Sequence, residues 1–494
     1  MVTLMERVGW FAIFGTTIQV MLLLLFIAFV QYDNVPGATA TRNDTRHTWG
    51  PEGDGGAGLD VYPMLGDVQV MVLVGFGFLM TFLRRYGHSA LGLTLLLVSF
   101  ALQISLLIDG AATASPNGTV TITIHSLLNG NFAAAAMLIS VGAVLGRTSP
   151  TQLLFLTLME VPVYTLNAHI CLSVLGIVDH GGSIVIHVFG AFFGLGFSKC
   201  VCRKALEPQH PQASSSSTSD TFAMIGSLFL WLYWPSFNAV LVEGAAARSR
   251  AVLNTYLALM GSTFCTFIVS SWTHMKNKWA MTHVQNATLA GGVGAGAVAG
   301  LILYPWGALL LGCFAGVLST LGYTYLQGLL EAKLGLQDTC GVLHLHGLPG
   351  VFSALVSIGS ALFASHTTFG DELFHLYPLL APPNASLILE MNVVAPGPGE
   401  GRSAVHQAFF QLLATGITLL LALVSGACAG LLVTFPVCQP LTPPQQYSDA
   451  LWWDEAEEDE PKTPTMDVDF PKLFNVQVRH GDTGRGESHI RNGM

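Results

Sequence analysis

The chain has 494 residues, of which 51% are hydrophobic and only 10% charged. Soluble domains carry about 25% charged residues, so this balance excludes an ordinary water-soluble globule and points to a membrane protein. The net charge of −10 offers nucleic acid no basic surface, and the tail from Val437 onward, with 11 acidic and 5 basic residues, supplies −6 of it.

Taken in chain order, apolar runs of spanning length recur to Phe435. The predicted spans are 9–30, 67–84, 90–109, 125–145, 151–174, 184–201, 220–242, 251–272, 281–303, 306–326, 341–364 and 406–435, twelve in all. The first run, Trp10 to Val30, follows Arg7 as a signal peptide would. It is long enough to span and lacks a clear small-residue cleavage site, so it reads as a retained span. The 53 glycines suit close helix packing in lipid. Residues 1–436 form a transmembrane channel domain, split by a Ser-rich cytoplasmic linker at 203–219 into two six-span halves. The extracellular loops 31–66 and 365–405 are Gly/Pro-rich and read as irregular, and 437–494 reads as an acidic, largely disordered cytoplasmic tail.

Orientation follows from charge. With a cytoplasmic N-terminus, cytoplasmic segments before the tail hold ten basic residues and external ones five. The glycosylation sequons at Asn43, Asn117 and Asn384 then all fall outside. Asn286 begins a fourth sequon, but inside a span. None of the eight cysteines lies in an external stretch, so no disulfide framework is expected.

Two stretches carry the chemistry. Asp179 precedes His187 by eight residues, and Asp338 precedes His346 by eight. Each His enters an apolar run, and an ionisable residue in a span is costly enough to mark a pathway. Neutral imidazoles offer one donor and one acceptor each. A facing pair can bond a small NH or OH guest or relay a proton. The two carboxylates cap helix N-termini, attract a cation to a vestibule, or do both. Phe132 and the run Trp231 to Asn238, including Phe237, form either an interfacial aromatic belt or a lining of the path. Glu160 reads as a helix–helix contact with no legible partner. His344 and His346 lie two residues apart, about 200° around a helix, which argues against a metal site with Cys340.

At these residues the chain resembles the vertebrate Rh glycoproteins of the ammonium transporter family. The resemblance covers roughly residues 5 to 454. It rests on 67–82, Trp234-Pro235-Ser236-Phe237-Asn238, 285–292, Gln337-Asp338-Thr339-Cys340-Gly341, His346-Gly347-Leu348-Pro349-Gly350 and Tyr447 to Trp453. It implies an all-α polytopic fold of twelve transmembrane helices, with an inverted five-helix repeat around a central pore, assembled as a homotrimer in membrane lipid. In that pattern His187 and His346 are the pore twin-His pair, and Phe132 and Phe237 form the external gate. Asp179 is the vestibule carboxylate and Asp338 its repeat mate. The implied function is a plasma-membrane channel for ammonia drawn from ammonium, without cofactor and not an enzyme. Passage of CO2 or methylamine, or a closed-pore scaffold with a cytoskeletal or sorting partner at the tail, are the alternatives. The chain departs from the pattern at Leu343-His344-Leu345, at His180, and at Ala280 and Asn167-Ala168. The two alanines remove carboxylates expected at the cytoplasmic exit.

Overall fold

The computed structural model describes residues 9–32, 60–112, 118–201, 210 and 212–454. Ten helices in it are long and apolar enough to cross a membrane. They are α1 (Trp10–Phe29), α2 (Tyr62–Phe82), α3 (Gly87–Gly110), α4 (Ile124–Ala143), α5 (Pro150–Val174), α6 (Ser183–Val201), α8 (Ala245–Thr273), α10 (Pro305–Leu334), α11 (Leu343–Leu362) and α12 (Ala404–Leu432). Two further helices complete the twelve. α7 (Ser217–Ala239) begins with polar residues. α9 (281–296) is broken by a 3-10 turn at Ala287–Leu289.

Helix starts are set by side-chain caps. Ser149 and Gln152 form a reciprocal capping box before α5, with Pro150 at the first helical position, and Ser216 and Ser219 do the same for α7. These caps place the α7 start at Ser217, three residues ahead of the predicted span, because hydropathy does not register a polar first turn.

Small residues let backbones touch. α8 runs along α10, and α6 along α12. A Cβ added at Gly312 or Gly316 of α10 would sit 2.0 or 2.6 Å from the carbonyl oxygens of Ala258 and Ser262. At Gly426 and Gly430 of α12 it would sit 2.2 and 2.5 Å from those of Phe193 and Phe197. Lipid supplies no hydrophobic drive between helices, so contact this close is what holds them.

The two halves interlock head to tail. At the start of α6, Gly181 N–H donates to Gly296 O at the end of α9, 2.8 Å. At the start of α11, Cys340 N–H donates to Gly142 O at the end of α4, 3.1 Å. α6 and α11 thus each begin where a helix of the other half ends, the signature of an inverted repeat.

Outside the helices, Val30–Tyr32 pairs in parallel with Val120–Ile122. The loop 365–405 is not irregular. It contains helical turns at His366–Phe369, Leu373–Leu376 and Ala385–Glu390. Local caps produce them: Ser365 accepts from Thr368 N–H and Asn384 from Leu387 N–H.

Past α12 the chain stays packed as far as Trp453. Asp449 accepts from the backbone N–H groups of His88 and Ser89, at 2.8 and 2.9 Å, and so caps α3 from 360 residues away. Trp453 donates to Ser89 Oγ at 2.9 Å and lies over Gly92. Tyr447 packs on Gly146 and bonds Arg147 through its hydroxyl. Burial raises the Asp449 carboxyl above its ordinary range, while the bonds from Ser89 and His88 oppose that shift. Replacing Asp449 with Ala should cost about 1 kcal/mol through the lost cap. The checks are a lower melting temperature in detergent and faster protease cleavage between 436 and 454.

Candidate functional site

Each pore helix opens with the same device. Asp179 is followed three residues later by Gly182, with φ +65°, and Asp338 by Gly341, with φ +71°. That left-handed turn is the glycine conformation and folds the chain back over the carboxylate. Asp338 Oδ1 accepts from Val342 N–H and Oδ2 from Leu343 N–H, both 2.9 Å. Asp179 differs. Its Oδ2 takes both Ile184 N–H and Val185 N–H, at 3.0 and 2.9 Å, and its Oδ1 is buried with no partner. Gln411 of α12 steadies the approach, accepting from Val178 N–H and donating to Val178 O, both 2.8 Å.

The first turns of both helices are π-helical, Ser183–Val188 and Leu343–Gly347. Such turns recur at functional sites, where they swing a side chain off the regular register. Here they swing His187 and His346 together. The two Nδ1 atoms are 3.1 Å apart, the rings lie within 9° of parallel, and the residues are 2% and 3% exposed.

A ladder of rings runs through the pair. Phe132 meets Phe237 edge-on at 4.9 Å between centroids, and Phe237 lies 5.9 Å from His187. Trp234 stacks on His187 at 5.6 Å. On the other side Phe76 stacks on His346 at 6.1 Å. Phe132 and Phe237 are 4% and 2% exposed, so the structure removes the interfacial-belt reading for them. Beyond His346, towards Asp338, lies a cavity of about 30 Å³ lined by Phe76, Phe82, Leu138, Gly142, Asn286 and Cys340.

Other predicted residues lie elsewhere. His344 is buried against Tyr323 of α10, 4.8 Å between rings, and takes no part in the ladder. Among the described residues no group of three His, Cys, Asp or Glu side chains could hold a metal ion. Asn384 is exposed. Asn43 and Asn117 lie outside the described residues. Asn286 is buried and donates to Thr282 O at 2.9 Å.

The chain matches the Ammonium Transporter Family over residues 58–441. The protein belongs to that family. It is 44% identical over 402 residues to "Ammonium transporter Rh type B" of Homo sapiens, which covers 81% of this chain and 84% of the relative. The protein of the same name from Oryctolagus cuniculus is 42% identical over 435 residues, 87% and 89% of the two chains. Among solved structures, Nitrosomonas europaea Rh50 is similar with a TM-score of 0.65 at 35% identity, covering 82% of this chain and 95% of that one. Saccharomyces cerevisiae Mep2 shares the fold, with a TM-score of 0.61 at 18% identity over 80% and 92%.

Within this ammonium transporter fold, one expectation about the departures is corrected. Ala168 and Ala280 do not share an exit. Ala168 sits in the last part of α5, at the Asp179 end, whereas Ala280 caps α9 at the Asp338 end. Asn167 turns towards α12, accepting from Thr418 Oγ1 at 3.1 Å. α5 and α9 run in the same direction, but Ala168 lies near the end of one and Ala280 at the start of the other.

Two rings of the ladder carry no distinct mark in the sequence. Phe76 lies between Gly75 and Gly77, and Trp234 sits among other aromatics. Their signal is weak, since helix packing and path lining use the same residues. The asymmetry of the two Asp caps yields a sharp expectation. An Asn at 179 keeps one oxygen for both N–H groups, so Asp179→Asn should shift stability by less than about 1 kcal/mol. An Asn at 338 turns an NH2 against a buried N–H, so Asp338→Asn should cost about 1–3 kcal/mol. Thermal unfolding of the purified variants measures both.

Proposed function

We propose that the chain conducts ammonia as the neutral molecule, after ammonium gathered at the Asp179 end loses its proton before the Phe132–Phe237 rings. The observation that carries this reading is the bonded His187–His346 pair, sealed between the ring ladder and the small cavity. Moving an ion into such a low-dielectric interior costs on the order of 20 kcal/mol by Born arithmetic. A neutral guest avoids most of that.

The tautomers follow from the geometry. A 3.1 Å Nδ1···Nδ1 bond needs one donor and one acceptor, so two imidazolium rings cannot face each other there. The donating ring keeps a bare lone pair at Nε2, and the accepting ring carries its proton there. Together they offer a guest one acceptor and one donor, which suits NH3. His187 Nε2 is buried without a partner, and a buried polar atom in that state is where a passing guest gains most. The unpartnered Asp179 Oδ1 supplies negative charge at the mouth. Asp338, with both oxygens bonded, acts as a cap.

Proteoliposomes holding the chain should show a faster internal pH rise under an inward ammonium gradient, with no current. In His187→Ala an unmet buried hydrogen bond raises the barrier by about 1–3 kcal/mol, slowing flux by about one to two orders of magnitude. An unchanged rate would remove the pore assignment.

We infer further that the chain sits in the plasma membrane as a homotrimer with both termini cytoplasmic. The excess of basic residues on the proposed inner side supports the orientation, and family resemblance supports the trimer. The transmembrane domain is extended from 436 to Trp453, since 437–453 pack against it, and the acidic residues that follow are proposed to meet a cytoskeletal or sorting partner. Exposed Asn384 supports an external 365–405 loop. In a chain carrying Asn43→Gln and Asn117→Gln, a glycan removable by endoglycosidase should remain, and Asn384→Gln should abolish it. No glycan at all would place that loop inside.

A further inference from the structure

One buried acid lies outside both histidine-bearing helices. Glu160, on α5, is completely buried, and so is Ser140 on α4. Ser140 Oγ lies 2.6 Å from Glu160 Oε1 and 2.8 Å from Gly190 O on α6. A serine hydroxyl has one proton and donates once. Both short oxygen–oxygen contacts are bonds only if a second proton is present, and the carboxyl is the sole group able to bring it. The ion pairs among the described residues, His88–Asp449, Arg250–Glu372 and Arg402–Glu400, do not include Glu160. An uncompensated charge at this depth is very costly.

We propose that Glu160 is held as the neutral acid, donates to Ser140, and through Ser140 pins α6 at Gly190 against α4. It is a positioning residue for the pore. Gly190 lies three residues beyond His187, and Phe132 stands on the same helix as Ser140. The three-helix tie therefore sets the depth of His187 relative to the Phe132–Phe237 rings. The contact is unusually close. A Cβ at Gly190 would meet Ala136 O at 2.5 Å, and one at Gly194 would meet Ser140 O at 2.9 Å. A lost tie lets these two helices part along a glycine seam. Shape alone does not require a proton donor at 160, but the proton count does.

This rests on His187 lining the conducting path, so one readout is chosen that does not involve transport. Infrared difference spectra of purified wild type against Glu160→Gln should show a protonated-carboxyl band that persists at pH 9. In vesicles, Glu160→Gln retains a donor for Ser140 and should conduct within about twofold of wild type. Glu160→Ala and Ser140→Ala should each lower ammonia flux about tenfold, since small misplacements of reacting groups are amplified in rate. They should also raise the ratio of methylamine to ammonia flux, and the double variant should be no worse than either single. Should Glu160→Ala fail to fold, Ser140→Ala and the spectrum still decide. A carboxylate band at pH 7, or wild-type flux and selectivity in Ser140→Ala, overturns the proposal. Loss of the His187 effect with the acid band intact would instead remove the pore reading alone.

Discussion

One constraint organises this molecule: a polar atom in the middle of a bilayer has no water to turn to. The His187–His346 bond is the central answer, since the two Nδ1 atoms meet each other at 3.1 Å. Around it the same constraint is met repeatedly. Asp338 spends both oxygens on backbone N–H groups, Ser183 donates to Val293 O while accepting from Ala297 N–H, and Asn238 bridges Thr255 and Gly292. Against that background, the buried atoms left without partners are informative. Asp179 Oδ1 and His187 Nε2 both lie along the proposed route.

The bonding economy also explains why the path is narrow. Rings and small residues carry little hydrogen-bonding demand, so they can be stacked tightly without cost. Phe132, Phe237, Trp234 and Phe76 wall the imidazoles, and glycines on α6, α10 and α12 bring the outer helices within backbone contact. What remains beyond His346 is a small cavity. On the proposed route, desolvation would set selectivity against ions, and the two unlike Nε2 atoms would accept ammonia.

The inverted repeat reaches down to the details of the proposed site. Asp, left-handed Gly, π-turn and His occur in the same order in each half, yet the two copies have diverged. Asp338 has become a fully bonded cap, while Asp179 retains a spare oxygen. A symmetric scaffold thus yields two unlike mouths. The segment up to Trp453, bound to the start of α3, links that scaffold to the part of the chain that follows.

Much was legible in the residues alone. Twelve apolar runs, the paired Asp…His spacing and the charge asymmetry of the loops are local or periodic patterns, and the membrane enforces them strictly because hydrocarbon tolerates no exceptions. Other features needed coordinates. The turns in 365–405 arise from single caps such as Ser365 that composition does not weight. The end at which Ala168 lies depends on the direction of one span. Phe76 and Trp234 join the path only because π-turns rotate the histidines towards them. Glu160 had no readable partner because Ser140 and Gly190 come from other helices, 20 and 30 residues away from it along the chain. Sequence by itself determined which groups the membrane would have to satisfy. Only the tertiary structure decided which atoms satisfy them, because a hydrogen bond depends on distances of tenths of an ångström between helices that spacing along the chain does not encode.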